Sequence, residues 1–187
     1  MGYFCYKMFN KGLSCRGYKF KVGVNECDHA TCVKEGFHAA ENPLDCLSYY
    51  PNFDKSECWL CYADGEIHEK GDDSKLSCTR LEILRRLEKW EFVYEACRYI
   101  IDHPWSDYNR HVQIDVGTTA QQGFAIVVGE EPQAEVSADG DIVALLVKSE
   151  HGRVEKLIFL YGEETKKGVV YRAWREEADE CYQMDEE

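Results

Sequence analysis

The sequence lacks most of the features from which a function can be read directly. No stretch approaches the ~18 consecutive apolar residues that a membrane-spanning helix requires. The opening MGYFCYKMFNKG has neither a long apolar core nor a small-residue cleavage site. Lys7 stands where a myristoylation signal has Ser or Thr. Together these absences predict a cytoplasmic protein with no membrane partner. The signatures GxSxG, GxxxxGK[ST], HExxH and GxGxxG are all missing, so elbow-hydrolase, phosphate-loop and zincin readings have no sequence support. Metal-ligand spacing is thin as well. Cys58-Trp-Leu-Cys61 is a lone CxxC, and Cys27-Asp-His29-Ala-Thr-Cys32 is the only grouping near it in type, whereas a tetrahedral structural zinc takes four ligands. No metal and no cofactor is expected. Without an export signal, most of the ten cysteines read as small buried hydrophobes in a reducing compartment.

Positive charge is also scarce. The 22 Lys and Arg are outnumbered by 35 Asp and Glu, for a net charge of −13. The imbalance is local: residues 1–111 carry 18 acidic and 15 basic side chains, residues 112–187 carry 17 and 7. An acidic surface repels nucleic-acid phosphates and is steered toward basic clefts, although hydration alone also accounts for it.

What remains is a globular composition, 44% hydrophobic and 13% aromatic. Tyr3 to Val22 reads as a hairpin turning at Asn10-Lys11-Gly12. A short strand over residues 34–39 leads to Asn42 as cap and Pro43 as first residue of a helix that ends at Tyr49-Tyr50-Pro51. Glu57 to Ile67 reads as a strand broken at Asp64-Gly65. From Leu87, the positions Trp90, Val93, Tyr94, Cys97, Ile100 and Ile101 recur at three- and four-residue steps, an amphipathic helix ending near His103-Pro104. Residues 80–84 fit either a strand or that helix's first turns. Beyond Gln113, glycines punctuate β-type runs such as Phe124–Val128, Ile142–Val147 and Leu157–Tyr161. The expected class is α+β: a small mixed N-terminal domain (1–111) with one long amphipathic helix, a β-rich module (112–175) of short-solenoid or sandwich-like form, and an acidic tail (176–187).

The segments Cys15-Arg16-Gly17-Tyr18, KEGFHAAENPLDCLSYY over residues 34–50, and Gly71-Asp72-Asp73-Ser74-Lys75-Leu76 resemble an uncharacterised family of phage and prophage proteins. In that family the N-terminal domain is often followed by Gly/Ala repeats that coil as a β-solenoid, and by a terminal β-segment similar to residues 123–174. This chain lacks nearly all the repeats. The resemblance implies a mobile-element setting and carries no activity.

Candidate sites follow. Glu130, Glu131, Asp139, Asp141, Glu163, Glu164, Glu176 and Glu177 are carboxylates spaced along turns, able to imitate a phosphate track and occupy the basic cleft of a host nucleic-acid enzyme, such as a CRISPR nuclease. That is the leading expectation: an anti-CRISPR-like inhibitor acting in the host cytoplasm, not an enzyme. A self-associating structural or assembly protein of a phage is a second. Lys75, Arg80, Arg85 and Arg86 form the notable basic cluster, open to direct DNA contact or simply paired with Glu82 and Glu88. Asp64, Glu66, Asp72 and Asp73 fit a solvated turn better than a hard-cation loop. Gly36-Phe37-His38 followed by Asn42-Pro43 faintly resembles the nicotinamide-cradling strand and helix of ADP-ribosyltransferases, with Glu41 or Glu57 as guesses for the glutamate; a packed His38 is the structural alternative.

Overall fold

The computed structural model describes residues 2–31, 34–69, 74–175 and 182–185. Strand and helix shares of 54% and 14% make the protein β-rich, which corrects the α+β expectation. The cause lies in residues 75–87. Leu81, Ile83 and Leu87 are inward positions of a long strand, and Leu84, which suggested a helical step, is partly exposed. The helix begins only at Lys89 and is 14 residues long.

The chain divides into two compact units, Met1–Phe92 and Val93–Glu187, with the division inside that helix. The sequence pattern alone places the boundary at residue 111.

The first unit is built on one seven-stranded sheet. Its elements are β1 (Tyr3–Asn10), β2 (Ser14–Cys15), β3 (Tyr18–Lys19), β4 (Gly23–Glu26), β5 (Phe37–Ala40), β6 (Ser56–Glu69) and β7 (Lys75–Leu87). Two short 3₁₀ segments, Pro43–Ser48 and Phe53–Lys55, lie between β5 and β6. The first is the expected capped helix in shortened form, and Asn42 Oδ1 accepts the Leu44 N–H at 3.0 Å. β1 does more than form a local hairpin: it pairs antiparallel with β6 from Tyr3↔Ala63 to Asn10↔Ser56. β6 and β7 pair along most of their length, with a register shift at Leu60/Cys61. Cys58 and Cys61 are both buried, Cys61 in the same core cluster as Cys5. The core gathers Phe9, Phe20, Phe37, Leu76, Leu81 and Ile83. Phe20 meets Phe9 and Phe37 edge-on, each with ring centroids 5.1 Å apart. Six of the eight described cysteines are buried thiols.

Helix α1 (Lys89–Asp102) starts where Glu91 Oε2 accepts the Glu88 N–H, 2.9 Å away. In the second unit, β8 (Val112–Thr118), β9 (Phe124–Glu135) and β10 (Gly140–Lys148) run parallel, so that Val112, Ile126 and Ala144 lie side by side. β11 (Val154–Gly162) returns antiparallel beside β10. β12 (Val170–Ala173) pairs antiparallel with the far end of β9 and with β13 (Tyr182–Asp185). Phe124–Gly129 and Ile142–Val147 are buried throughout, as the continuous apolar runs of parallel strands require. Tyr171 locks the last turn: its hydroxyl donates to the Glu164 carbonyl (2.8 Å) and accepts from the Lys166 N–H (3.1 Å). Among the described residues, no helix is long and apolar enough to cross a membrane.

Candidate functional site

β1, β5, the turn between β2 and β3, the Pro43–Ser48 segment and the start of β7 line a half-open cavity of about 590 Å³ within the first unit. Its charge runs against that of the protein. Lys7, Arg16, Lys55 and Lys75 line it, with Asp45 as the single carboxylate among the described residues. Asp45 Oδ2 is engaged by Ser74, accepting from its N–H (3.1 Å) and its hydroxyl (2.6 Å).

Lys7 is the unusual member. Strand β1 alternates, so Cys5, Lys7 and Phe9 point to the same side, and all three are buried. Lys7 is 6% exposed. Its ammonium donates to the His38 carbonyl and lies 5.4 and 5.3 Å from the Phe9 and Phe20 ring centroids. Among the described residues it has no carboxylate partner. Two cation–π contacts, about 0.5–2 kcal/mol each, do not match the several kcal/mol needed to desolvate an ammonium.

Arg16 reaches the cavity from a tight turn joining Cys15 to Tyr18, with φ of 48° at Arg16 and 82° at Gly17. Such a turn favours Asn or Gly at its first centre. A left-handed arginine is strained, a feature that clusters at ligand clamps. Lys75 donates to the Tyr49 hydroxyl (3.0 Å), and its ammonium sits 4.4 Å from the Tyr49 ring centroid. Tyr6, Tyr49 and Tyr50 supply an aromatic wall, and the Tyr50 hydroxyl donates to Cys15 Sγ at 3.2 Å. Burial and that contact raise the Tyr50 pKa, keeping the phenol a donor at neutral pH. His38 is half-buried in the same wall. Desolvation first, then Lys75, Lys7 and Arg16, lower its pKa to about 4, so its imidazole is neutral at pH 7. Burial drives up the Cys46 thiol beside it, to about 12, so it is no nucleophile.

The site residues named from sequence are placed as follows. Lys75 is in the cavity. The rest of its cluster is strung out along β7, not on a helix: Arg80 lies 3.6 Å from both Glu26 and Asp64, and Arg85 pairs with Glu91 at 2.6 Å, while Arg86 is exposed. The acidic residues of the second unit form two groups. Asp139, Asp141, Glu163 and Glu164 flank the Gly140↔Gly162 end of the β10–β11 pair, whereas Glu130 and Glu131 lie past the opposite end, beyond Gly129↔Val147. Asp141 is a structural brace that accepts from Thr119 and from the Ala138 N–H. Asp139 accepts the Lys167 N–H at 2.8 Å, and Glu164 the Tyr161 N–H. Glu176, Glu177, Asp72 and Asp73 lie outside the described residues. Glu66 pairs with His68 at 2.9 Å, and Glu57 accepts the Gly12 N–H. No group of three metal-ligating side chains occurs among the described residues.

Sequence reasoning passed over Lys7, Tyr6 and the role of Arg16. The signal for Lys7 was present: a lone lysine at the inward position of the alternating run Cys5-x-Lys7-x-Phe9. No curated protein and no solved structure matches the chain. Residues 3–95, which contain the whole cavity lining, match a domain of unknown function, DUF7666.

Proposed function

We propose that the first unit is a ligand-binding module that recognises an anionic ligand. The supporting observation is the cavity lining, in which Lys7, Arg16, Lys55 and Lys75 stand against one carboxylate, Asp45, among the described residues. An anion there would lie among Lys7, Arg16 and Lys75. Calorimetric titration with pyrophosphate at low ionic strength tests this. The wild type is expected to bind, and Lys7→Met to bind at least tenfold more weakly. Binding by neither protein, or equal binding by both, would overturn the reading.

A second reading retains a specific support. Glu163 and Glu164 are exposed at the same end of the β10–β11 pair as Asp139, and Glu130 and Glu131 are exposed beyond the other end. We infer from this a protein-binding role for the second unit, with a host nucleic-acid enzyme such as a CRISPR nuclease as the partner and a phage-encoded inhibitor in the host cytoplasm as the setting. Glu163→Lys with Glu130→Lys avoids Asp141, the brace of the turn. In a nuclease inhibition assay the pair is expected to lose inhibition with an unchanged melting curve. Full inhibition by the double variant would rule the carboxylates out as the contact.

A further inference from the structure

The anion-binding reading leaves most of the cavity unexplained. A bare phosphate or pyrophosphate occupies a small part of about 590 Å³, which lies within the ~300–1,000 Å³ of sites for ligands with an organic body. Tyr6, Tyr49 and Tyr50 contribute rings and Met8, Ala40 and Pro51 apolar surface to the same lining as Lys7, Arg16 and Lys75, and the Lys75 ammonium lies 4.4 Å from the Tyr49 ring centroid. Tyr49 is 51% exposed, a large aromatic left at the mouth of the cavity. A ligand that matches both kinds of side chain carries a phosphate group and a flat ring.

We propose that the cavity is a nucleotide site: the phosphates lie against Lys7, Arg16 and Lys75, and the base lies along the tyrosine wall. This rests on the anion-binding reading and adds the ring. Base stacking on aromatic side chains is tolerant of base identity, because every base has a π-face. Tyr50 and His38 line the same cavity, and neither carries a charge at neutral pH that would compete with the phosphates.

The test compares four probes by calorimetry on the full chain: pyrophosphate, adenosine, ADP and UDP. ADP or UDP is expected to bind at least tenfold more tightly than pyrophosphate, an increment typical of one stacked base, and adenosine to bind far more weakly than ADP. Tyr49→Leu should reduce that increment while changing pyrophosphate affinity less. Arg16→Asn should weaken ADP and pyrophosphate alike and leave the fold intact, since asparagine suits the left-handed turn; its melting curve is the control. If pyrophosphate binds and neither nucleotide improves on it, the nucleotide assignment is wrong and the anion site stands. If no phosphate compound binds, both readings fall.

Discussion

Gly36→Ala is expected to destabilise the first unit by about 3 kcal/mol, on the order of a 10 °C fall in its melting temperature. Two costs combine. Gly36 has φ of 88°, a conformation that side chains rarely adopt. An added Cβ would also stand 2.9 Å from both Cα and Cβ of Ala30 and 3.1 Å from the Cys78 carbonyl. Those neighbours are backbone or nearly so and cannot swing away, and overpacking of this kind costs ~1–3 kcal/mol by itself. Gly17 separates the two terms. Its φ is 82°, but a Cβ added there would meet nothing within 4 Å. Gly17→Ala should therefore cost only the conformational part, about 1 kcal/mol. Urea unfolding of the two variants measures the difference. Equal losses would mean that the β5 entrance yields to accommodate a methyl group. Because Gly36 immediately precedes Phe37 and His38, the larger loss would also show that the cavity wall is set by a rigid approach of this loop to β7.

The elements visible in the sequence were those whose physics is local. Asn42 and Pro43 announced a capped turn because one side chain and one fixed φ suffice to start it. Phe124–Val128 and Ile142–Val147 read as β-type runs from their composition alone, and the strands they form are buried. What stayed hidden depends on partners far along the chain. Nothing in Leu81-x-x-Leu84-x-x-Leu87 reveals that β6 lies alongside with a register shift at Leu60/Cys61, and without that partner a helical step is an equally good reading. The cavity was harder still. Its cations come from Lys7, Arg16, Lys55 and Lys75, each unremarkable in its own segment and brought together only by the pairing of β1 with β5 and β6 and of β5 with β7. Conversely, the carboxylate array was conspicuous in one dimension, yet Asp141, Asp139 and Glu164 spend oxygens on turn hydrogen bonds. Side-chain acceptors at turns are a structural need of this second unit, and that need inflates any count of acidic residues as a surface signal.

His38 should make the protein's stability sensitive to mild acid. Its folded pKa of about 4 lies below the ordinary 6.5, first because the ring is desolvated and then because Lys75, Lys7 and Arg16 face it. Above about pH 6.5 the ring is neutral in both folded and unfolded chains, and no stability is lost through it. As pH falls toward 4 the unfolded chain takes up the proton first, so folding is progressively disfavoured; below 4 both states are protonated and the loss is complete. Between pH 7 and 4.5 the expected cost is roughly 2–3 kcal/mol. Carboxylates elsewhere titrate over the same range, so the comparison is with His38→Gln, which keeps a polar side chain and cannot take up the proton. The wild type should lose roughly 2–3 kcal/mol more than the variant when urea unfolding is repeated at the two pH values in a phosphate-free buffer. Equal losses would mean that the ring is protonated in the folded cavity at pH 4.5. An anion bound among the three cations offsets the charges that add to desolvation in depressing His38, so saturating pyrophosphate should raise its folded pKa and shrink the difference between the two proteins. The shrinkage would tie the imidazole and the bound anion to one cavity by a route independent of any affinity measurement.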